Sequence, residues 1–397
     1  MMQIAKKLNI EKLFFWSLGL SAACIPLPGN NFSSFSLILL IIIWIFYQPV
    51  KSKWVLLKSN SKSFLILLIP LLLAGFGLIY TDNFEYGLRK IDLLLPFLFY
   101  PLALLSIPKE RQLYRFVLYC FSFSTFLTAL IAVMRAAYLK FNNLGEFFYY
   151  YKFSELLDKH TTYFSLFVVI SLLFLFSETL KKRIKPIAFI IAAVFFLFVL
   201  YIVSARISII ALGIGGLILI MKEIKSKKKY LFLLFLFLLG ALYTLPNFQK
   251  RFELNQTESG EITDWEFRNK HWLAVIETIK HNPILIGAGT GSNRDFLYER
   301  YQHYQLTSAY ELEYNAHNQY LEFVLDYGLI GLISVLFLLT LLFYYLWINR
   351  NNLGISLLMV FVIYFMTESL LQRSDGIMTF SLLMSTFLNS KTSVNKF

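Results

Sequence analysis

His160, Arg206, Arg268 and His317 are the residues whose types and settings suit chemistry on a charged substrate. A guanidinium keeps its charge and presents a rigid fork of donors that matches phosphate or carboxylate oxygens. An imidazole, with an unperturbed pKa near 6.5, can act as a general base at neutral pH. Arg206 stands in YIVSARISII, between apolar segments that otherwise form almost one continuous run. A charge at that depth is costly unless it is paired or used. His160 opens the apolar segment of DKHTTYF. Structural pairing with an acid is open to each of them.

Three elements surround the other two. From Trp265 to Ile279 the pattern predicts an amphipathic helix, with Arg268, Trp272, Val275 and Ile279 spaced along one face. An arginine on that face either snorkels or pairs with Asp264 one turn back, or it faces an anionic ligand. Next comes HNPILIGAGTGS, in which Pro283 ends the helix, and Gly287, Gly289 and Gly291 free the backbone. Such glycines make a plain turn or a cradle of N–H groups for phosphate. The segment lacks a GK[ST] ending, so a P-loop is excluded. The third element is NAHNQYLE, where His317, Tyr320, Leu321 and Val324 share a spacing that predicts one helical face, with the imidazole at its start. An ordinary polar residue or a general base fits that position.

The elements that must carry these residues are apolar. Hydrophobic residues make up 57% of the chain and charged ones 15%, with mean hydropathy +0.61; a soluble domain carries about 25% charged residues. An ordinary cytosolic enzyme is therefore excluded. At about 20 apolar residues per crossing, the sequence predicts twelve helices, near 13–27, 33–49, 63–80, 91–106, 116–138, 162–178, 186–203, 207–221, 230–245, 328–348, 354–370 and 377–390. The fold class expected is an all-α polytopic membrane protein, in three parts: helices one to nine in 1–245, a large loop in 246–327, and helices ten to twelve in 328–397. The N-terminus has the basic and apolar parts of a signal peptide, and an uncleaved first helix is expected.

Net charge +13 would suggest nucleic acid in a soluble protein, but the basic residues lie in short tracts between apolar runs. With the N-terminus inside, 22 of the 37 Lys and Arg residues fall on the cytoplasmic side, as the positive-inside rule requires. Both termini are then cytoplasmic and the 246–327 loop is external. That loop holds four of the five histidines, 12 acidic residues and 7 basic ones. The tracts KKRIK and KEIKSKKK are topology signals or lipid-binding patches. Cys24 and Cys120 lie in apolar runs with no metal or disulfide spacing.

The order of these motifs resembles that of the O-antigen ligase and polymerase superfamily of bacterial membrane glycosyltransferases. The resemblance rests on an arginine in an S-x-R context before the loop, R-x-x-x-W, NPILIGAGTGS, and HNQYLE running into DYGLIGL. It is strongest over 265–332. It implies a GT-C-like fold and a periplasmic site in the inner membrane. Undecaprenyl-diphosphate-linked glycan is the implied donor; the acceptor is lipid A core oligosaccharide or another glycan. Arg206 and Arg268 would hold the diphosphate and His317 would activate the acceptor hydroxyl. His160, Trp272, Gly287, Gly289, Gly291, Asn318 and Tyr320 are further candidate substrate contacts. Direct attack with inversion needs no covalent intermediate, and with arginines on the diphosphate and no DxD pattern, neither metal nor cofactor is expected. Membrane lipids are expected partners and nucleic acid is not.

A ligase, a polymerase and a protein-directed oligosaccharyltransferase share donor and mechanism; the single dominant late loop favours a ligase. A lipid or sugar transporter would show repeats and ionisable residues near the midplane. Instead the charges gather at one edge, which a scaffold does not explain either.

Overall fold

The computed structural model describes residues 2–29, 31–110, 112–223, 264–292 and 294–390, with Gly240. In chain order the helices are α1 (Met2–Cys24), α2 (Asn31–Tyr47), α3 (Val50–Ser59), α4 (Ser61–Gly77), α5 (Phe84–Leu94), α6 (Pro96–Leu105), α7 (Leu113–Phe141), α8 (Tyr150–Leu157) and α9 (Thr161–Leu180). There follow α10 (Pro186–Val203), α11 (Arg206–Glu223), α12 (Asp264–His281), α13 (Arg294–His303), α14 (Thr307–Glu311), α15 (Gln319–Ile348), α16 (Asn352–Phe365) and α17 (Ser374–Asn389). No strand occurs among the described residues. An all-helical build follows from apolar composition, because lipid offers the backbone no hydrogen-bond partner.

Each apolar segment predicted from the sequence holds a helix except 230–245, which apart from Gly240 lies outside the described residues. By length and composition, four described helices suffice to cross a membrane: Leu113–Phe141, Thr161–Leu180, Pro186–Val203 and Gln319–Ile348. A fifth arises if Asn31–Tyr47 and Val50–Ser59, bent by 109°, count as one span. The chain is a membrane protein on these features, and among the described residues four or five of the twelve expected spans reach full length. The difference has local causes. Ser61–Gly77, Arg206–Met221 and Asn352–Phe365 are apolar but short, and the 91–106 segment divides before Pro96 into α5 and α6.

α9 is apolar around its whole circumference and 94% of its apolar window is buried, so it forms the centre of the bundle. α7, α10, α11 and α16 pack around it. The hydroxyls of Ser165 and Tyr364 meet at 2.9 Å, joining the first turn of α9 to the last of α16. Ser356 donates to the Gly215 carbonyl at 2.8 Å between α16 and α11. Together with the approach of Leu173 and Ser356 at Gly215, these contacts make α16 antiparallel to α9 and set the middle of α11 beside the first turns of α16. Asn318 donates to Met366 O at 3.1 Å and the Tyr320 hydroxyl to Val362 O at 3.2 Å, adding the start of α15 to the same layer. At the opposite end, buried Glu178 is held by Arg115 at 2.8 Å and Arg183 at 2.9 Å. Arg183 of the KKRIK tract is thereby tied to a buried acid.

The loop helices α12, α13 and α14 enclose a small core of their own, built on Ala274, Val275, Leu297, Tyr301, Leu306 and Ala309. The buried face of α12 runs through His271, Ala274, Val275 and Thr278, while Trp272 is 38% exposed. The expected face through Arg268, Trp272, Val275 and Ile279 is rotated from this one. Helices α13 and α15 cover that buried face, and tertiary partners choose which side of a mixed helix is covered.

Candidate functional site

The glycine-rich segment and the DYGLIGL motif are partners in space. Gly328 has φ 59 and ψ −150 and breaks α15, which frees backbone groups that the 284–289 segment takes up. Leu329 and Ile330 donate to Ile284 O and Leu285 O, while Ala288 and Gly289 donate to Leu325 O and Asp326 O. A Cβ on Gly287, which has φ 66, would meet the Gly328 nitrogen at 2.6 Å, and one on Gly328 would strike the Leu285 carbonyl carbon. Gly289 and Gly291 make similar approaches to Gly77, Thr81 and Gly87. The N–H groups of Gly287, Ala288, Gly289 and Thr290 all have carbonyl acceptors within the protein. Of the two sequence readings, the plain turn stands: a phosphate cradle here would lack these donors. The segment serves to lock the loop to α4 and α15.

That lock sets the turn before α15. Asn318 caps the helix, its side chain accepting from the N–H groups of Tyr320 and Leu321 at 3.0 and 3.1 Å. His317 precedes the cap in a left-handed conformation, φ 45. Its imidazole therefore leaves the chain outside the helical face of Tyr320, Leu321 and Val324 on which the spacing had placed it. Glu322 Oε2 accepts from the Ala316 N–H at 2.9 Å. Its other oxygen meets Arg294 at 3.2 Å and Lys90 at 4.0 Å, and Lys90 pairs with Asp326 at 2.7 Å. With Lys90 and both acids buried and Arg294 nearly so, breaking any pair leaves an uncompensated charge.

The His317 Nδ1 lies 3.3 Å from Glu368 Oε1, and the carboxylate is 4% exposed. Burial pushes the Glu368 pKa up. The hydrogen bond from His317 and the charges of His317, His160 and Arg373 pull it further the other way, so the carboxyl sits below its ordinary range. His160 caps α9, its Nδ1 accepting from Thr162 N–H at 3.4 Å. Enclosure by protein lowers its pKa, the neighbouring Glu368 opposes this, and Arg373 and His317 reinforce it. His271 reaches the Asn315 carbonyl at 3.1 Å and the Tyr301 hydroxyl at 2.9 Å, its ring 5.5 Å from that of His317.

A cavity of about 970 Å³ opens beside this group. Its polar end carries Lys159, His160, Arg373 and Asp375; along one side runs an apolar wall that includes Leu37, Ile38, Ile41 and Ile42 of α2. Lys159 and Asp375 pair at 2.6 Å. Ile38 and Ile42 are also 56% and 49% exposed, so the wall is continuous with the outer apolar surface of the bundle. Asp92, Glu155 and Asp158 line the remainder. Carboxylates of that kind accept from sugar hydroxyls, and Arg373 supplies donors for a phosphate.

Of the residues singled out in the sequence, His160, His317, Asn318 and Tyr320 share one end of the bundle, and Arg206 opens α11. Arg268 lies in α12, and its side chain lies outside the described residues. Lys159, His271, Glu368 and Arg373 were not anticipated. A signal existed for Glu368 alone, as an acid inside the apolar segment 354–370. The others become recognisable only when α9, α12 and α17 are brought together.

Residues 191–336 match the family model described as O-antigen ligase. The matched segment contains Arg206, Arg268 and His317 and is similar to that family. An uncharacterized protein of Haemophilus influenzae (strain ATCC 51907 / DSM 11121 / KW20 / Rd) is 26% identical over 400 residues, covering 92% of this chain and 94% of its own length.

Proposed function

We propose that the chain is an O-antigen ligase-type glycosyltransferase, moving a glycan from undecaprenyl diphosphate to the lipid A core oligosaccharide. The observation that carries the reading is the meeting of His317, Glu368, His160 and Arg373 at one end of the bundle, beside a cavity that His160 and Arg373 line and that has an apolar wall. In this reading the polyprenyl chain lies along α2 and the diphosphate faces Arg206, Arg268 and Arg373. The glycan meets the carboxylates and the exposed Trp272. His317 takes the proton of the acceptor hydroxyl, whose oxygen attacks the anomeric carbon as the bond to diphosphate breaks. The bonding pair leaves with the diphosphate, and the anomeric configuration inverts. Guanidinium groups neutralise the charge that develops on the leaving group; in this account they take the part of a divalent cation. The chain would sit in the inner membrane with twelve crossings, both termini cytoplasmic, and the 246–327 loop periplasmic.

Deletion in the native host tests the reading, with envelope glycans resolved on a gel and probed for lipid A-linked and carrier-linked polymer. Loss of the lipid A ladder, with long chains kept on the carrier, is expected. Single repeats still joined to lipid A would identify a polymerase instead.

A further inference from the structure

We infer that Glu368 is the positioning residue of the reaction, holding the His317 imidazole with its Nε2 toward the acceptor and stabilising the imidazolium once the proton has moved. The inference rests on the transfer function proposed above.

Geometry supports it in three ways. The carboxylate approaches Nδ1 at 3.3 Å, so an ionised Glu368 accepts from Nδ1–H and leaves the lone pair on Nε2. His317 is 30% exposed at its side chain whereas Glu368 is 5% exposed at its own, which leaves the imidazole accessible to a substrate and its partner shielded from one. The backbone of His317 is fixed independently, by its N–H bond to Asn315 Oδ1 at 3.0 Å and by the Glu322 bond to Ala316. The carboxylate is therefore free to act on the ring alone. A carboxylate behind a histidine base is a recurring solution for choosing the tautomer and balancing the charge gained.

The other groups facing this pair are His160 before α9, Arg373 before α17, His271 on α12 and Tyr314 before α15. Glu368 is the one carboxylate in contact with His317 among the described residues. Removing its charge therefore moves the acid limb of the pH profile down.

The test uses full-length protein in membranes, with carrier-linked repeat units from the native host as donor and its repeat-free lipopolysaccharide as acceptor. For Glu368→Gln, kcat is expected to fall about 10- to 100-fold with KM changed less than about threefold. The acid limb of kcat/KM should shift down by about one pH unit, the lower end of the range for losing a neighbouring opposite charge. Glu368→Asp should restore part of kcat and the original limb. Reduced activity with an unmoved limb, or an Asp variant no better than Gln, overturns the positioning role while leaving the transfer function standing. His317→Ala membranes that transfer as well as the wild type, or wild-type membranes that do not transfer at all, overturn the function itself and the inference with it.

Discussion

At the residue scale, the proposed chemistry depends on single side chains at one end of the bundle, and each can be removed separately. His317→Ala and Arg206→Ala are expected to abolish transfer while the protein still inserts; wild-type transfer by either variant removes that residue from the mechanism. Glu368 also links stability to pH. Its folded pKa lies below the ordinary value of 4.5, so its ionised form contributes stability above pH 4.5, and that contribution is lost as pH falls through the folded value. The thermal midpoint in detergent should drop on acidification below pH 4.5, and Glu368→Gln should flatten the drop. Equal slopes for the two proteins would contradict the shift. His317 was legible in the sequence because a histidine in a polar loop invites attention. Glu368 was hidden within an apolar stretch, and only the proximity of α15 and α16 makes it a partner.

At the element scale, the break in α15 is the feature on which the site's placement turns. Gly328→Ala must adopt φ near 59, at a cost of about 1–3 kcal/mol for a residue with a Cβ, and its Cβ would strike Leu285. Loss of at least about 2 kcal/mol, or a collapse of monodisperse protein on size exclusion, is expected; a variant as stable as the parent would mean that the break can form without a glycine. Lys159→Met tests the pairing of the α9 entry with α17. It strands buried Asp375, and removing one partner of such a pair costs about 3–5 kcal/mol, read as a lowered unfolding midpoint. Apolar runs and flanking charges located the helices well. They could not show that the glycines of 287–291 serve backbone packing, because the partner strand of chain lies some forty residues later in the sequence. Nor could they orient α12, whose covered face is set by its neighbours.

At the scale of the whole molecule, sidedness remains the property to measure. In a background lacking Cys24 and Cys120, Tyr310→Cys should react with an impermeant maleimide from the periplasmic side, and Lys182→Cys only after the inner membrane is opened. The reverse pattern would place the site on the cytoplasmic face and defeat the proposed donor chemistry. Composition and periodicity by themselves determined a helical membrane protein with a polar late loop, because burial in lipid imposes apolar runs that no folding context can disguise. The same sequence order carried the family resemblance. Only the tertiary structure decided that α16 runs antiparallel to α9, that the two glycine motifs interlock, and that Glu368 stands behind His317. Those are contacts between residues far apart in the chain, and side-chain periodicity reports a residue's own helix, never the one packed against it.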